Sequence, residues 1–312
     1  MLSLILAAAI AVQDSPARQA VEAQGRTLAA AATQDSPAPT HRVQQVRDNV
    51  YVVYGPGGNV GMIAHDDYVV LVDCQYENGL PGLLAAVKTI SNKPIKYLIN
   101  THHHGDHTGA NRALSGQVQG IIGHANLRAR LAKDQAGLAP EKKGGLPDML
   151  IGEEGRVKTD TLTLAIGTLD TQMIYWGPAH TDNDIVVGMP KARAIHMGDL
   201  LFLGMLPYID TEAGGSFNGL VQIVGHVLGF LPEDTLVIPG HGTVCDKKEL
   251  ARHHEFLLAV QQHVRSNPEM SPKELADAFN KAPWEDKKPT PGFVTWETLF
   301  QAASGKGPGR VK

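Results

Sequence analysis

Residues 101–109 read THHHGDHTG, four histidines and an aspartate within nine residues. The preceding stretch, Lys93–Thr101 (KPIKYLINT), has the apolar and β-branched character of a strand, so the histidines fall where a strand runs out into a loop. A helix would show only some of these side chains on one face, whereas a turn aims several at one centre. Imidazole is the commonest protein ligand for zinc, and carboxylate is a further partner. The pattern predicts a metal site with His102, His104, Asp106 and His107 as ligands. A polar loop that happens to be rich in histidine is the competing reading. Successive side chains of an extended segment alternate sides, which sends His103 away from a centre shared by His102 and His104.

Three more ligand-type residues repeat that placement. His180 (GPAHTDND) follows the strand pattern TQMIYWG, Asp199 (MGDLLF) follows ARAIH, and His241 (PGHGT) follows TLVIP. Each lies at a strand end beside Gly or Pro, and residues at like ends of neighbouring strands converge in space. Seven ligands are too many for one four-coordinate zinc. They suit two metals with a shared carboxylate and a bridging water or hydroxide.

The set His102-x-His104-x-Asp106-His107, His180, Asp199 and His241 resembles the metallo-β-lactamase superfamily, over roughly Val43 to Leu258. The resemblance implies an α/β fold, a four-layer αββα sandwich with the metals at one edge between the sheets. It implies that His102, His104 and His180 hold a first zinc. Asp106, His107 and His241 would hold a second, with Asp199 bridging or leaning toward the second. Two zinc ions per chain would give a bridging hydroxide that attacks a carbonyl, Asp106 being the catalytic residue that orients it or shuttles a proton. Related diiron redox proteins carry Glu where His104 stands here, which favours zinc over iron.

Asp199 bears on the substrate. One main subgroup of true β-lactamases has Cys there, whereas Asp is the pattern of glyoxalase II and of lactonases. One β-lactamase subgroup also places a Lys soon after this position to grip the antibiotic carboxylate, but Leu200–Leu206 (LLFLGML) has no basic residue. TGAN after the histidines and HTDND around His180 resemble exported lactamase-like relatives that keep the Asp. β-Lactam hydrolysis is the first expectation, a lactonase or glyoxalase II-like thioesterase the alternative, and a diiron redox protein the third. A non-catalytic binding module is disfavoured by the complete ligand set.

The remaining sequence fits that frame. Hydrophobic content of 43% and charged content of 19% describe a globular chain, and a net charge of −4 gives no sign of a nucleic-acid partner. A small-molecule substrate is expected. The segment MLSLILAAAIA is too short to span a bilayer and ends in a small-x-small pattern. Residues 1–40 are therefore expected to be an export signal and disordered linker, giving a periplasmic or secreted protein, with residues 41–312 as the hydrolase domain and a C-terminal helical extension. Strand patterns run through VQQVRDNVYVVYG, VGMIA, YVVLVD, QVQGIIG, RVKTDTLTLAIG, TQMIYWG, DIVVGMP, ARAIHMG and TLVIPG. Helices are expected at Leu80–Ile90, Phe217–Leu231 and Lys247–Val264, and Ser271–Glu274 forms a capping box. Ala136–Met149 reads as an exposed loop, and Gly55–Asn59 (GPGGN) as a flap or hairpin turn. Asp73 is expected to orient a ligand histidine, His196 to be a hydrogen-bonded core residue, and His124 to cap a helix or stand outside the ligands. His253, His254 and His263 belong to a terminal helix. Cys74 and Cys245 leave one disulfide open but no disulfide framework.

Overall fold

The computed structural model describes residues 41–152, 161–166 and 169–306. The expected export signal and linker at 1–40, and part of the strand pattern RVKTDTLTLAIG, lie outside the described residues.

Strands β1 (Arg42–Arg47), β2 (Val50–Tyr54), β3 (Val60–Ala64) and β4 (Val69–Val72) form an antiparallel meander, extended in parallel by β5 (Ile95–Ile99), β6 (Gly120–His124) and β7 (Met149–Ile151). A second sheet orders β8 (Thr161–Ile166), β9 (Leu169–Tyr175), β10 (Ile185–Met189), β11 (Ala194–His196), β12 (Leu236–Ile238) and β13 (Cys245–Asp246) in reverse sequence order, with only β11 and β12 parallel.

The period-two alternation of these strands decides the layers. Val50, Val52, Val70 and Val72 share a core with Ile185, Val187 and Ile238 of the other sheet. Their neighbours Val53, Val69 and Leu71 face outward and pack on Leu83 and Val87 of α1 (Leu80–Lys88). On the far side Val186, Ile195 and Val237 pack on α5 (Phe217–Phe230) and α6 (Lys247–Ser266), through Leu220, Val224, Leu250 and Phe256. Two sheets face each other with helices outside, the expected αββα sandwich. The short helices α2 (Gly105–Thr108) and α3 (Asn111–Ser115), and α4 (Ala125–Asp134), complete the first half. α7 (Pro272–Ala278), opened by the Ser271–Glu274 capping box, and α8 (Trp296–Ser304) follow α6.

Three local differences from the sequence reading have plain causes. The Ala136–Met149 loop ends one residue early, because Met149 opens the three-residue edge strand β7. The histidine stretch is not extended: residues 101–103 bend, and His104 stands at the N-cap position of the single helical turn α2. The GPGGN segment is a pinned turn, with Gly58 N donating to Asp106 O at 3.0 Å and Asn59 N to Gly240 O at 2.7 Å. Among the described residues no helix is long and apolar enough to cross a membrane.

Candidate metal centre

Asp73, the His102–His107 stretch, His180, Asp199 and His241 follow β4, β5, β9, β11 and β12 and meet at one edge of the sandwich. The seven predicted ligands fall into two groups: His102, His104, His180 and Asp199, and Asp106, His107 and His241, each with its ligand atoms within 4.8 Å of one another.

The hydrogen bonds behind the rings fix where the protons are. His104 Nε2 faces Asp210 Oδ2 at 2.9 Å and His180 Nδ1 faces the Tyr208 carbonyl at 2.7 Å. Both partners can only accept, so each of these nitrogens carries the proton. Thr101 Oγ1 donates its one proton to Asp73 Oδ2 at 2.8 Å, and must therefore accept from His102 Nδ1 at 3.0 Å. Three lone pairs remain, on His102 Nε2, His104 Nδ1 and His180 Nε2, with His104 Nδ1 at 3.1 and 2.9 Å from the other two. Unprotonated nitrogens this close repel unless a cation lies among them. Nitrogens on one tetrahedral zinc at about 2.0–2.1 Å stand about 3.4 Å apart, a few tenths of an ångström wider than found here, so the donor set fits zinc. A proton on His102 or His180 is a poor substitute: burial pushes the His180 imidazole down to about 4 and His102 well below its usual value.

The second group is tied to the first by a carboxylate. His107 Nδ1 donates to Asp73 Oδ2 at 2.7 Å, which turns Nε2 toward Asp199 Oδ1 at 3.1 Å. That pair is buried and too far out of line for a hydrogen bond, so both atoms lack a partner. His241 Nε2 lies 3.2 Å from Asp106 Oδ2 and 3.4 Å from Asp199 Oδ2, and the latter oxygen is 3.5 Å from His180 Nε2. Burial opposes charge here, but Asp199 and Asp73 hold His107 well above its usual value, and Asp199 and Asp106 raise His241 to about 9. In return, His107 and His241 outweigh burial and hold Asp199 and Asp106 well below the usual carboxylate range.

Two glycines make room for this packing. A Cβ on Gly58 would stand 2.2 Å from His107 Cε1, and one on Gly240 would stand 2.0 Å from Asp199 Oδ1.

The other singled-out residues are placed as follows. Asp73 is fully buried and holds Thr101 N at 2.8 Å as well as His107. The His103 ring lies 6.4 Å from that of His102, and its Nδ1 accepts from Asn183 Nδ2 at 3.1 Å. It also forms a third grouping with His104 and Asp210, on the outer side of His104. His196 is buried and bonds the Asn59 carbonyl at 3.1 Å. His124 accepts from Asn126 N and caps α4. His253, His254 and His263 lie on α6. Both cysteines are free. Burial pushes the Cys74 thiol far up and that of Cys245 up to about 12.

The sequence reading missed Asp210, Thr101 and the Tyr208 carbonyl, which fix the first three rings. Asp210 sits in YIDTEAGG, where nothing but an acid in a glycine-rich loop marks it.

Two His/Asp clusters joined by one carboxylate, at the edge of an αββα sandwich, define a class of metal-dependent hydrolases. The sequence profile of the Metallo-beta-lactamase superfamily matches residues 53–241, and the chain belongs to that superfamily. A metallo-beta-lactamase type 2 of Bacillus sp. (strain 170) is 30% identical over 181 residues, covering 57% of this chain and 64% of the relative. A hydroxyacylglutathione hydrolase of Nitrosococcus oceani is 30% identical over 149 residues, covering 47% of this chain and 48% of the relative. The chain thus spans between 48% and 64% of the length of these curated relatives. The solved metallo-beta-lactamase from Pontibacter korlensis superposes with a TM-score of 0.58 at 21% identity, over 70% of this chain and 99% of that one. At that identity the likeness speaks for the fold.

Proposed function

We propose that the chain is a zinc-dependent hydrolase with two zinc ions, acting first on the amide of a β-lactam ring and alternatively on a lactone or thioester. The observation that carries the metal is the convergence of three proton-free ring nitrogens in front of Asp199, each ring held from behind. Zinc in these clusters would acidify a water and polarise the substrate carbonyl.

The chain's own groups supply the rest. Asp210, the Tyr208 carbonyl and Thr101 keep three imidazoles in the tautomer that presents a lone pair, and Asp73 holds the Nδ1 proton of His107 so that Nε2 is the nitrogen a metal would deprotonate. Asp106, part-exposed beside His107 and His241, stands at the floor of a cleft of about 610 Å³. Held as a carboxylate, it is the group to orient the attacking water and pass its proton to the leaving atom. Asp199 is acceptor-only and faces nitrogens of both clusters.

The TGAN and HTDND segments favour a β-lactam over a glutathione thioester, while the relatives do not separate the two, since β-lactamase and hydroxyacylglutathione hydrolase relatives both align over 57% of the chain. Among the described residues no lysine or arginine lines the cleft, so neither a glutathione carboxylate nor that of a β-lactam meets a side-chain cation there. The carboxylate of a β-lactam would then rest on zinc or backbone N–H groups. Reading residues 1–40 as export signal and linker, we place the enzyme in the periplasm or outside the cell. The test is a hydrolysis panel of zinc-replete protein against benzylpenicillin, an acyl-homoserine lactone and S-lactoylglutathione. Turnover of the penicillin is expected. Turnover of the thioester with the penicillin untouched would overturn the assignment.

A further inference from the structure

One side of the cleft comes from residues far beyond the family match at 53–241: Thr290, Phe293 and Val294, just ahead of α8. This turn is firmly built. Thr290 N donates to Val294 O at 2.8 Å, Val294 N to Thr290 O at 2.9 Å, and Phe293 N to Thr290 O at 2.9 Å. Its stem is stitched to the loop after Asp199, where Leu206 N donates to Lys288 O at 2.9 Å and Met205 pairs with Lys288. The neighbouring Lys287 side chain is fully buried, 3.5 Å from His253 Nδ1 on α6 and 3.4 Å from Asp286 Oδ2.

On this rigid turn Val294 is buried, but Phe293 is left 57% exposed. Its ring meets that of Tyr208 at 4.7 Å, and Tyr208 in turn lies 5.9 Å from the His104 ring and 5.7 Å from that of His180. An aromatic wall therefore runs from two predicted ligand rings to the cleft mouth. Apart from the residues of the two clusters, no group lining the cleft carries a charged side chain. An apolar ring held in water by a fixed backbone gains by meeting an apolar partner, and a second ring is the best-matched one.

We propose that Phe293, seated against Tyr208, is a specificity-determining residue that receives an uncharged aryl or bulky apolar substituent of the substrate. The proposal rests on the hydrolase reading and narrows its substrate class: the reacting carbonyl lies over the clusters, and the apolar group reaches the C-terminal turn.

The test separates binding from chemistry. Phenylacetamide and acetamide, two neutral amides differing by one phenyl group, are titrated by ligand-observed NMR into the full-length zinc-replete protein. The same is done with Phe293→Ala, Phe293→Leu and Phe230→Ala, the last altering another exposed phenylalanine (48%) away from the cleft. Wild type is expected to favour phenylacetamide by about tenfold or more, the scale of one aromatic contact plus its buried area. Phe293→Ala should lower that preference about fivefold, Phe293→Leu by less, and Phe230→Ala not at all. The ratio of kcat/KM for benzylpenicillin over 6-aminopenicillanic acid should fall in parallel. An unchanged preference in Phe293→Ala, or in Phe293→Leu and a larger polar Phe293→Gln should the alanine variant not fold, overturns the proposal, as does an equal loss in Phe230→Ala. If neither penicillin is hydrolysed, the β-lactam reading fails, while the amide preference still decides the role of Phe293.

Discussion

Replacing Asp73 with Asn tests how the fold sets the metal clusters, because it changes protons while keeping shape. Asp73 is fully buried, and its carboxylate accepts from Thr101 N, Thr101 Oγ1 and His107 Nδ1 at 2.8, 2.8 and 2.7 Å. Its backbone has φ of 67°, a left-handed conformation that Asn tolerates better than Ala, so Asn avoids added strain. An Asn can keep Thr101 N on its oxygen, but its amide then faces His107 Nδ1 with a donor. The ring loses the acceptor for its Nδ1 proton and keeps the proton on Nε2, the atom that points at Asp199 Oδ1. Zinc then has to displace the Nε2 proton with no acceptor behind Nδ1 to hold the one that must stay. Partners of this kind are worth about 10–100-fold in metal affinity, or about 1.4–2.7 kcal/mol. The weaker zinc of Asp73→Asn should therefore bind about 10–100-fold less tightly in a competitive chelator titration, with a smaller loss at the tighter site through Thr101 and His102. Zinc affinities within twofold of wild type at both sites, in a protein with a native circular dichroism spectrum, would refute the reasoning.

Other expectations follow from the same geometry. His104→Ala removes one of three converging nitrogens and should lower kcat/KM about a thousandfold or more, while His103→Ala, which loses its bond with Asn183 and a ring contact with His104, should cost about tenfold at most. Similar losses in the two folded variants would show that the direction of the histidine stretch has been misread. Zinc entering the His107–His241 cluster must expel the protons that both imidazoles hold above their usual range, His241 up to about pH 9, so its affinity should rise about a hundredfold per pH unit between 6 and 8. Burial holds His102 and His180 below the usual imidazole range, so the first cluster should show a shallower profile, and equal slopes in calorimetry at the two sites would count against the proton assignment. In zinc-free protein the stabilisation from His241 should be fully present below about pH 6.5 and lost as pH rises through about 9, visible as a falling Tm. Gly240→Ala pushes a methyl into Asp199 Oδ1 and should weaken zinc binding more than tenfold, and an unchanged zinc affinity would show that Asp199 has room to move.

Much of the candidate site was legible because its predicted ligands carry their own signature. His102, His104, Asp106, His107, His180, Asp199 and His241 are ligand-type residues at strand ends beside Gly or Pro, and the strand patterns TQMIYWG, ARAIH and TLVIP announced those ends. The sandwich was legible from alternation: Val52 faces the other sheet and Val53 faces α1. The groups that fix the rings were harder to see. A ring N–H takes any acceptor within reach, and a carbonyl such as that of Tyr208 has no side-chain mark at all. Asp210 lies 106 residues from His104 in sequence, with no spacing rule to join them. β13 escaped because two residues show no period, and β7 because its three residues close a Gly/Pro/Lys-rich loop, whereas the equally short β11 and β12 sit in longer apolar runs. Phe293 escaped because its meaning depends on the turn that holds it, which no local pattern encodes.

The central claim is that two zinc ions sit at this edge and carry the hydrolysis. The direct measurement is elemental analysis of protein purified without chelator, coupled to benzylpenicillin hydrolysis before chelation, after chelation, and after zinc is restored. The account predicts two zinc per chain, loss of activity on removal, and recovery with added zinc. One metal per chain, iron in place of zinc, or hydrolysis that survives complete metal removal would contradict it.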